Sequence, residues 1–442
     1  MAHTGELSAH RAAVLQFRSD PGESDSPDAY EYWPDGLLIV SGEHVERVGP
    51  ASELIGTLPA GVCVHEHHDA LILPGFIDTH IHYPQTDVIA AAGRDLLDWL
   101  EHYTFPAERR FDNEAHAKSS AEFFLDELAR NGTTTAQVLG TVHKLATDVF
   151  FEAAAKRGIR MIAGKLLMDR NCPEYLRDTP ADGERDTREL IEKWHGQGRL
   201  HYAITPRFAP TSSNEQLASA GRIARDHPDV FIHSHLAENV DEVAWVHRLF
   251  PEARSYLDVY DRFGLLRERA TYAHCIHLDA ADRQRMASAG SSAAFCPTSN
   301  FYLGSGLFDI AAADAAALQF ALATDVGGGT SFSMLRTMAE AYKVTQLLGQ
   351  RLSPLRMFYL ATLGGARVLG LHDRIGQLSP GAEADFVVLD PHVTPLMSRR
   401  FKQCATLAER LLLFATLGDE RNVVGTYIVG KRVHAAPGVI HA

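Results

Sequence analysis

The chain has 442 residues, more than one hydrophobic core usually organises, so two or three domains are expected unless a large barrel absorbs most of the length. At 45 % hydrophobic and 22 % charged residues, its composition excludes disorder, collagen and coiled coil. A net charge of −14, spread without acidic blocks, argues against nucleic acid as a partner. No run approaches the roughly 20 apolar residues that cross a bilayer, so no membrane association is expected. The start, Met1-Ala-His-Thr-Gly-Glu-Leu, lacks the basic and apolar regions of a secretory leader, and a cytoplasmic location follows as an expectation. The five cysteines, Cys63, Cys172, Cys275, Cys296 and Cys404, are far apart and form no Cys-x-x-Cys pair, so they read as reduced and mostly buried. Histidine is the anomaly: 23 residues is about double average usage.

Residues 1–70 carry turn signals at Asp20-Pro-Gly22 and Ser26-Pro-Asp28 and strand-like runs at Gly36–Val40 and Glu43–Val48, which predicts the first part of a small β domain. From residue 71 to 375 the pattern alternates, with candidate strands at 73–79, 133–139, 160–168, 200–206, 230–235, 270–274, 291–295 and 320–324. Between them a helix from Asn113 to Arg130 is expected to bury Phe123, Phe124 and Leu128 and to stop at Asn131-Gly132. A second opens on a capping box at Ser212-x-x-Glu215, and a third follows Asn239-Val-Asp-Glu242 and stops at Pro251. Eight strands with helical crossovers predict an α/β fold, a (β/α)8 TIM-type barrel. Residues 376–442 return to strands at Asp385–Leu389 and Gly425–Val429, with a hairpin-like turn after Val429, and with the first 70 residues are expected to complete a small β-sandwich domain.

The chemistry of such a barrel sits at the C-terminal ends of its strands. His80 and His82, two apart on a strand, project the same way, as two ligands of one metal must. His65-Glu-His67-His68 repeats the spacing but precedes the barrel, and reads as a solvated surface run. In Val230-Phe-Ile-His-Ser-His235-Leu-Ala-Glu238 the strand ends at His235, with Glu238 in the turn above the mouth; a metal-bound imidazole beside a free carboxylate is the base-and-metal pair of hydrolytic zinc sites. His233, one step deeper, is assigned a packing or supporting role. His274 and Asp325 end two further apolar strands, so four strand ends converge on ligand-type residues. Nitrogen and oxygen donors without thiolate suit zinc or iron, zinc first for hydrolysis. Asp78 is expected to support this set, Cys275 and Cys296 to pack beside it, and Trp99 either to wall the pocket or to sit in the core.

Several segments together resemble the amidohydrolase superfamily and, within it, are similar to the guanine deaminase family. They are Pro74-Gly-Phe-Ile-Asp-Thr-His-Ile-His-Tyr-Pro-Gln85, Tyr103-Thr-Phe-Pro-Ala-Glu-Arg109, Asn131-Gly-Thr-Thr-Thr135, Ile204-Thr-Pro-Arg-Phe208, Ser234-His-Leu-Ala-Glu-Asn239, Cys296-Pro-Thr-Ser-Asn300, Ala361-Thr-Leu-Gly-Gly365 and Ile375–Phe386. The His-x-His stretch alone marks the superfamily; Gln85 and Pro206-Arg-Phe208 narrow it. The resemblance implies that His80, His82, His235 and Asp325 hold one Zn2+ per chain, that Glu238 moves protons, and that His274, with Asp325, orients the attacking water. It implies guanine as substrate, in purine catabolism or salvage, addressed by Gln85, Arg207, Phe208 and Glu238, and it implies a homodimer. The two-metal relatives place a carboxylated lysine at the end of the fourth strand, where this chain has Thr205-Pro-Arg207; Lys165 lies on the third, so one metal is expected. The same metal set would equally serve a deaminase or dechlorinase of another purine, a pyrimidine or a triazine. A non-catalytic scaffold would be expected to lose ligands, and here every such position is filled.

Overall fold

The computed structural model describes residues 7–436, so the segment Met1-Ala-His-Thr-Gly-Glu, on which the expectation about a secretory leader rests, lies outside the described residues. Its strands are β1 (Leu7–Phe17), β2 (Tyr30–Ser41), β3 (His44–Pro50), β4 (Cys63–Pro74), β5 (Phe76–His82), β6 (Thr133–Leu139), β7 (Arg160–Gly164), β8 (Leu166–Leu167), β9 (Leu200–Pro206), β10 (Phe231–Leu236), β11 (Ala270–His274), β12 (Ser292–Phe295), β13 (Phe320–Leu322), β14 (Phe386–Leu389), β15 (Val423–Ile428) and β16 (Lys431–Ala435). No helix among the described residues is long and apolar enough to cross a membrane.

Eight parallel strands, β5-β6-β7-β9-β10-β11-β12-β13, form the barrel, with β8 pairing β9 off the path. Hydrogen bonds from Asp325 N to His80 O (2.9 Å) and from His82 N to Val326 O (2.8 Å) draw its first and last strands together. The strands are apolar almost throughout because both faces are covered, as parallel sheets require. Ile77, Ile162, Ala203, Phe231 and Ala321, one from each of five strands, fill the barrel with Ala366 and Leu369, leaving the polar strand ends at the other end. Crossover helices bury one stripe: Glu114–Arg130 sets Phe124, Leu125 and Leu128 into the core, and Asn214–Asp226 does so with Leu217, Ala220 and Ile223.

The second sheet, ordered β16-β15-β14-β4-β1-β2-β3, is built from both ends of the chain. β1 pairs antiparallel with β2 and parallel with β4, and β14 joins antiparallel to β4 with Phe386 opposite Pro74. Val14, Leu38, Ile72, Phe386 and Tyr427, from five strands, share one buried cluster, the interior of the expected β-sandwich. Buried ion pairs tie it to the barrel: Arg199 donates to Glu383 (2.9 Å) and pairs with Asp385, and Arg160 pairs with Glu383. Arg356 bridges Asp20 and Asp314.

Some local expectations are corrected. The first barrel strand is 76–82, not 73–79, because residues 63–74 belong to the other sheet. The break falls at Gly75, where a Cβ would lie 2.1 Å from the Thr134 hydroxyl. Phe123 is 55 % exposed; the buried stripe is shifted by one residue to Phe124 and Leu125. Ser213, not Ser212, caps its helix, accepting from Gln216 N. His65 and His67 are not wholly solvated: on β4 they are half-buried and stack against His10 of β1, at ring separations of 4.8 and 5.6 Å.

Candidate active site

His80 and His82 leave β5 on its inner side, where pairing with β6 is irregular between Asp78 and Ile81. Local irregularities of this kind re-aim side chains beside functional sites. The His80 and His82 Nε2 atoms are 3.2 Å apart, and His235 Nε2, from β10, lies 3.2 Å from that of His82. Asp325, three residues past β13, brings Oδ1 to 3.1 Å from His80 Nε2 and 3.3 Å from His82 Nε2. All four groups are buried. The other ring nitrogens fix these orientations: His235 Nδ1 donates to Arg207 O (2.6 Å), and His80 Nδ1 lies 2.8 Å from His233 Nε2. Asp78 receives Thr324 N (3.1 Å) and His80 N (3.2 Å), clamping the first strand to the last.

Facing this cluster, His274 at the end of β11 directs Nδ1 to Asn300 Oδ1 (2.9 Å). Its Nε2 lies 3.3 Å from Glu238 Oε2 and 3.8 Å from Asp325 Oδ2, with no hydrogen bond of good geometry. Glu238 Oε1 accepts from Ser305 Oγ (3.0 Å). Ala237, His274, Cys275 and Asp325 all have left-handed φ, between 51° and 73°. Such non-glycine strain concentrates at sites that the surrounding fold must hold. Beside the cluster opens a cavity lined by His82, Gln85, Trp99, Arg207, Phe208, Glu238, His274 and Asp325 among others. Every residue singled out from the sequence for metal, proton transfer or substrate therefore lies at one place, and Trp99 is a wall of it. Lys165 is apart from it, buried and paired with Asp178.

The amidohydrolase family model matches residues 71–433. The chain belongs to the amidohydrolase family. Over 414 residues it is 49 % identical to the guanine deaminase of Escherichia coli (strain K12), covering 93 % of this chain and 94 % of that one. The structure of the E. coli enzyme superposes with a TM-score of 0.95 at 47 % identity, covering 97 % and 99 % of the two chains. Guanine deaminase from C. acetobutylicum, crystallised with guanine in its active site, superposes with a TM-score of 0.87 at 30 % identity, covering 97 % and 100 %.

The donor set fits the metal that amidohydrolases use. Burial lowers the pKa of His80 and His235, and brings His82 down to about 3, so the imidazoles stay neutral and keep lone pairs for an ion. Burial works against the Asp325 carboxylate, but the His80 and His82 rings outweigh it and hold its pKa well below the usual range. Glu238 is different: burial, then the Asp325 charge, push it up to about 8, so it retains a proton at neutral pH. Glu108, Asn300 and Ser305 were not singled out as site residues from the sequence. Asn300 sits in the quoted Cys296–Asn300 segment, and Glu108 in Tyr103–Arg109, but both reach the site from outside the barrel strands, where spacing says nothing about direction. Ser305 lies in a loop with no sequence signal.

Proposed function

We infer that this amidohydrolase is a zinc-dependent guanine deaminase, which converts guanine and water to xanthine and ammonia, with one zinc per chain. The observation that carries this reading is Arg207 in the wall of the cavity beside the ligand cluster. Guanine differs from adenine at C6, where a carbonyl acceptor replaces an amino donor; a guanidinium has only donors, so it pairs with the first and rejects the second. The similarity to guanine deaminases over nearly the whole chain supports the same assignment. A homodimer belongs to this reading on family resemblance alone, and a cytoplasmic location on the sequence expectation given above.

His80, His82, His235 and Asp325 would hold the ion. Zinc supplies Lewis acidity, which makes water available as a nucleophile near neutral pH. Arg207 and Gln85 bind the purine edges, Phe208 walls the ring, and C2 then faces Glu238 and His274. Glu238 gives its proton to the ring nitrogen beside C2, drawing electrons from that carbon. His274 Nε2 and Asp325 Oδ2 present acceptors to the water that attacks it. A C–O bond forms at C2 as the water gives up one proton to Glu238, which passes it to the amine; the C–N bond breaks, ammonia leaves, and the remaining hydroxyl proton returns to Glu238 as the C2 carbonyl forms. The test is ammonia release from guanine, adenine, cytosine and adenosine. Guanine is expected to be turned over with the highest kcat/KM; a preference for any of the other three would overturn the assignment.

A further inference from the structure

Glu108 is fully buried, with 0 % exposure, on the helix Phe105–Arg109 outside the barrel, and does not line the cavity. Both of its oxygens accept from one terminal nitrogen of Arg207, at 2.8 and 2.9 Å, and Oε1 also accepts from Gln85 Nε2 at 3.1 Å. Three residues earlier on the same helix face, the Phe105 ring lies 5.3 Å from the Arg207 guanidinium carbon. The arginine is thus held along two directions, by a carboxylate and by a ring face, while no other side-chain hydrogen bond from it is made among the described residues. Gln85 is held at both ends: its Oε1 accepts from Gly327 N (3.3 Å), and its Nε2 lies 3.0 Å from His82 Nδ1 as well as against Glu108. An amide is nearly symmetric in shape and opposite in polarity. Only its NH2 can face a carboxylate, and only its oxygen a backbone N–H, so Glu108 together with the Gly327 amide sets which polarity Gln85 offers to the base.

We propose that Glu108 is the positioning residue for purine recognition, setting Arg207 and the amide sense of Gln85 without touching the substrate. The proposal rests on the guanine reading above. Its test is the steady-state kinetics of Glu108→Gln, in the parent and in the Arg207→Ala background, alongside metal content and thermal unfolding. E108Q is expected to raise KM for guanine at least ~10-fold with kcat within ~3-fold, because the readers are released but the proton-transfer groups are not. Arg207→Ala alone should lower kcat/KM by a similar factor, and E108Q added to it should cost less than ~3-fold more, since one of its two targets is already gone. A KM within twofold of the parent, or an equal loss in both backgrounds, overturns the assignment. Should E108Q not fold, Glu108→Asp keeps the charge one methylene short and is expected to raise KM; an unchanged KM overturns the proposal in the same way. A parent that releases no ammonia from guanine would remove the guanine reading and this assignment together. A parent active on guanine with an unaffected variant would remove this assignment alone.

Discussion

In the proposed mechanism Glu238 is the residue on which the chemistry turns, and its surroundings define two outcomes. Glu238→Gln preserves shape and the bond from Ser305 but has no proton to give, so turnover should fall by several orders of magnitude with metal and fold retained; kcat and elemental analysis decide it. Since burial and the Asp325 charge hold the acid's pKa near 8, the working form is the protonated one, present below that value and lost as pH rises through it. The kcat/KM profile should therefore show a descending limb centred near pH 8, and a flat profile from 7 to 9.5 would contradict the role. His80→Ala should lose metal and activity, whereas His65→Ala, on the other sheet, should keep both within twofold. At this scale the sequence told most where strands speak. Two residues apart on a strand share a face, so His80 and His82 were legible. Glu108 was not, because a short helix outside the barrel aims it by packing rather than by period.

At the scale of elements, the turn after β10 shows how the backbone that carries Glu238 is held by a helix cap. The helix Val240–Leu249 begins with a complete capping box, Asn239 accepting at its first turn and Glu242 returning to the cap backbone. Glu242 Oε2 accepts from Glu238 N (2.9 Å) and Asn239 N (3.1 Å), and Tyr256 donates to Oε1 (2.7 Å). Glu242→Ala removes the acceptor for the catalytic residue's own amide. The expected result is a loss of about 1 to 3 kcal/mol of stability, from buried donors left unpaired, and at least a ~10-fold fall in kcat; urea unfolding and kinetics measure the two. The Asn239…Glu242 signal was readable because both ends of a capping box lie within four residues. The start of the first barrel strand was not, since Cys63–Pro74 and Phe76–His82 are both strand-like and only Gly75, pressed on Thr134, separates the two sheets.

At the scale of the molecule, the sheet made from both chain ends is fastened to the barrel by the ion pairs around Glu383, which is only slightly exposed and serves both Arg160 and Arg199. Glu383→Ala strands two arginines, one of which keeps Asp385, and should cost about 3 kcal/mol with metal content and kcat unchanged; calorimetry against activity separates these. The barrel class was legible in the alternation of strands and helices. That β4 would sit between β1 and β14 was not, because pairing across three hundred residues leaves no local trace. That pairing has a consequence during synthesis. β4 ends at Pro74, and its neighbour begins at Phe386, 312 residues further on. At about 5 to 20 residues per second, a ribosome takes on the order of 15 to 60 seconds to deliver the missing strand. Through that interval the nascent chain carries an unpaired edge, Leu71-Ile72-Leu73, able to template the wrong neighbour. Until its own far end arrives, the side of β4 that will face Phe386–Leu389 has no strand of its own sheet to pair with.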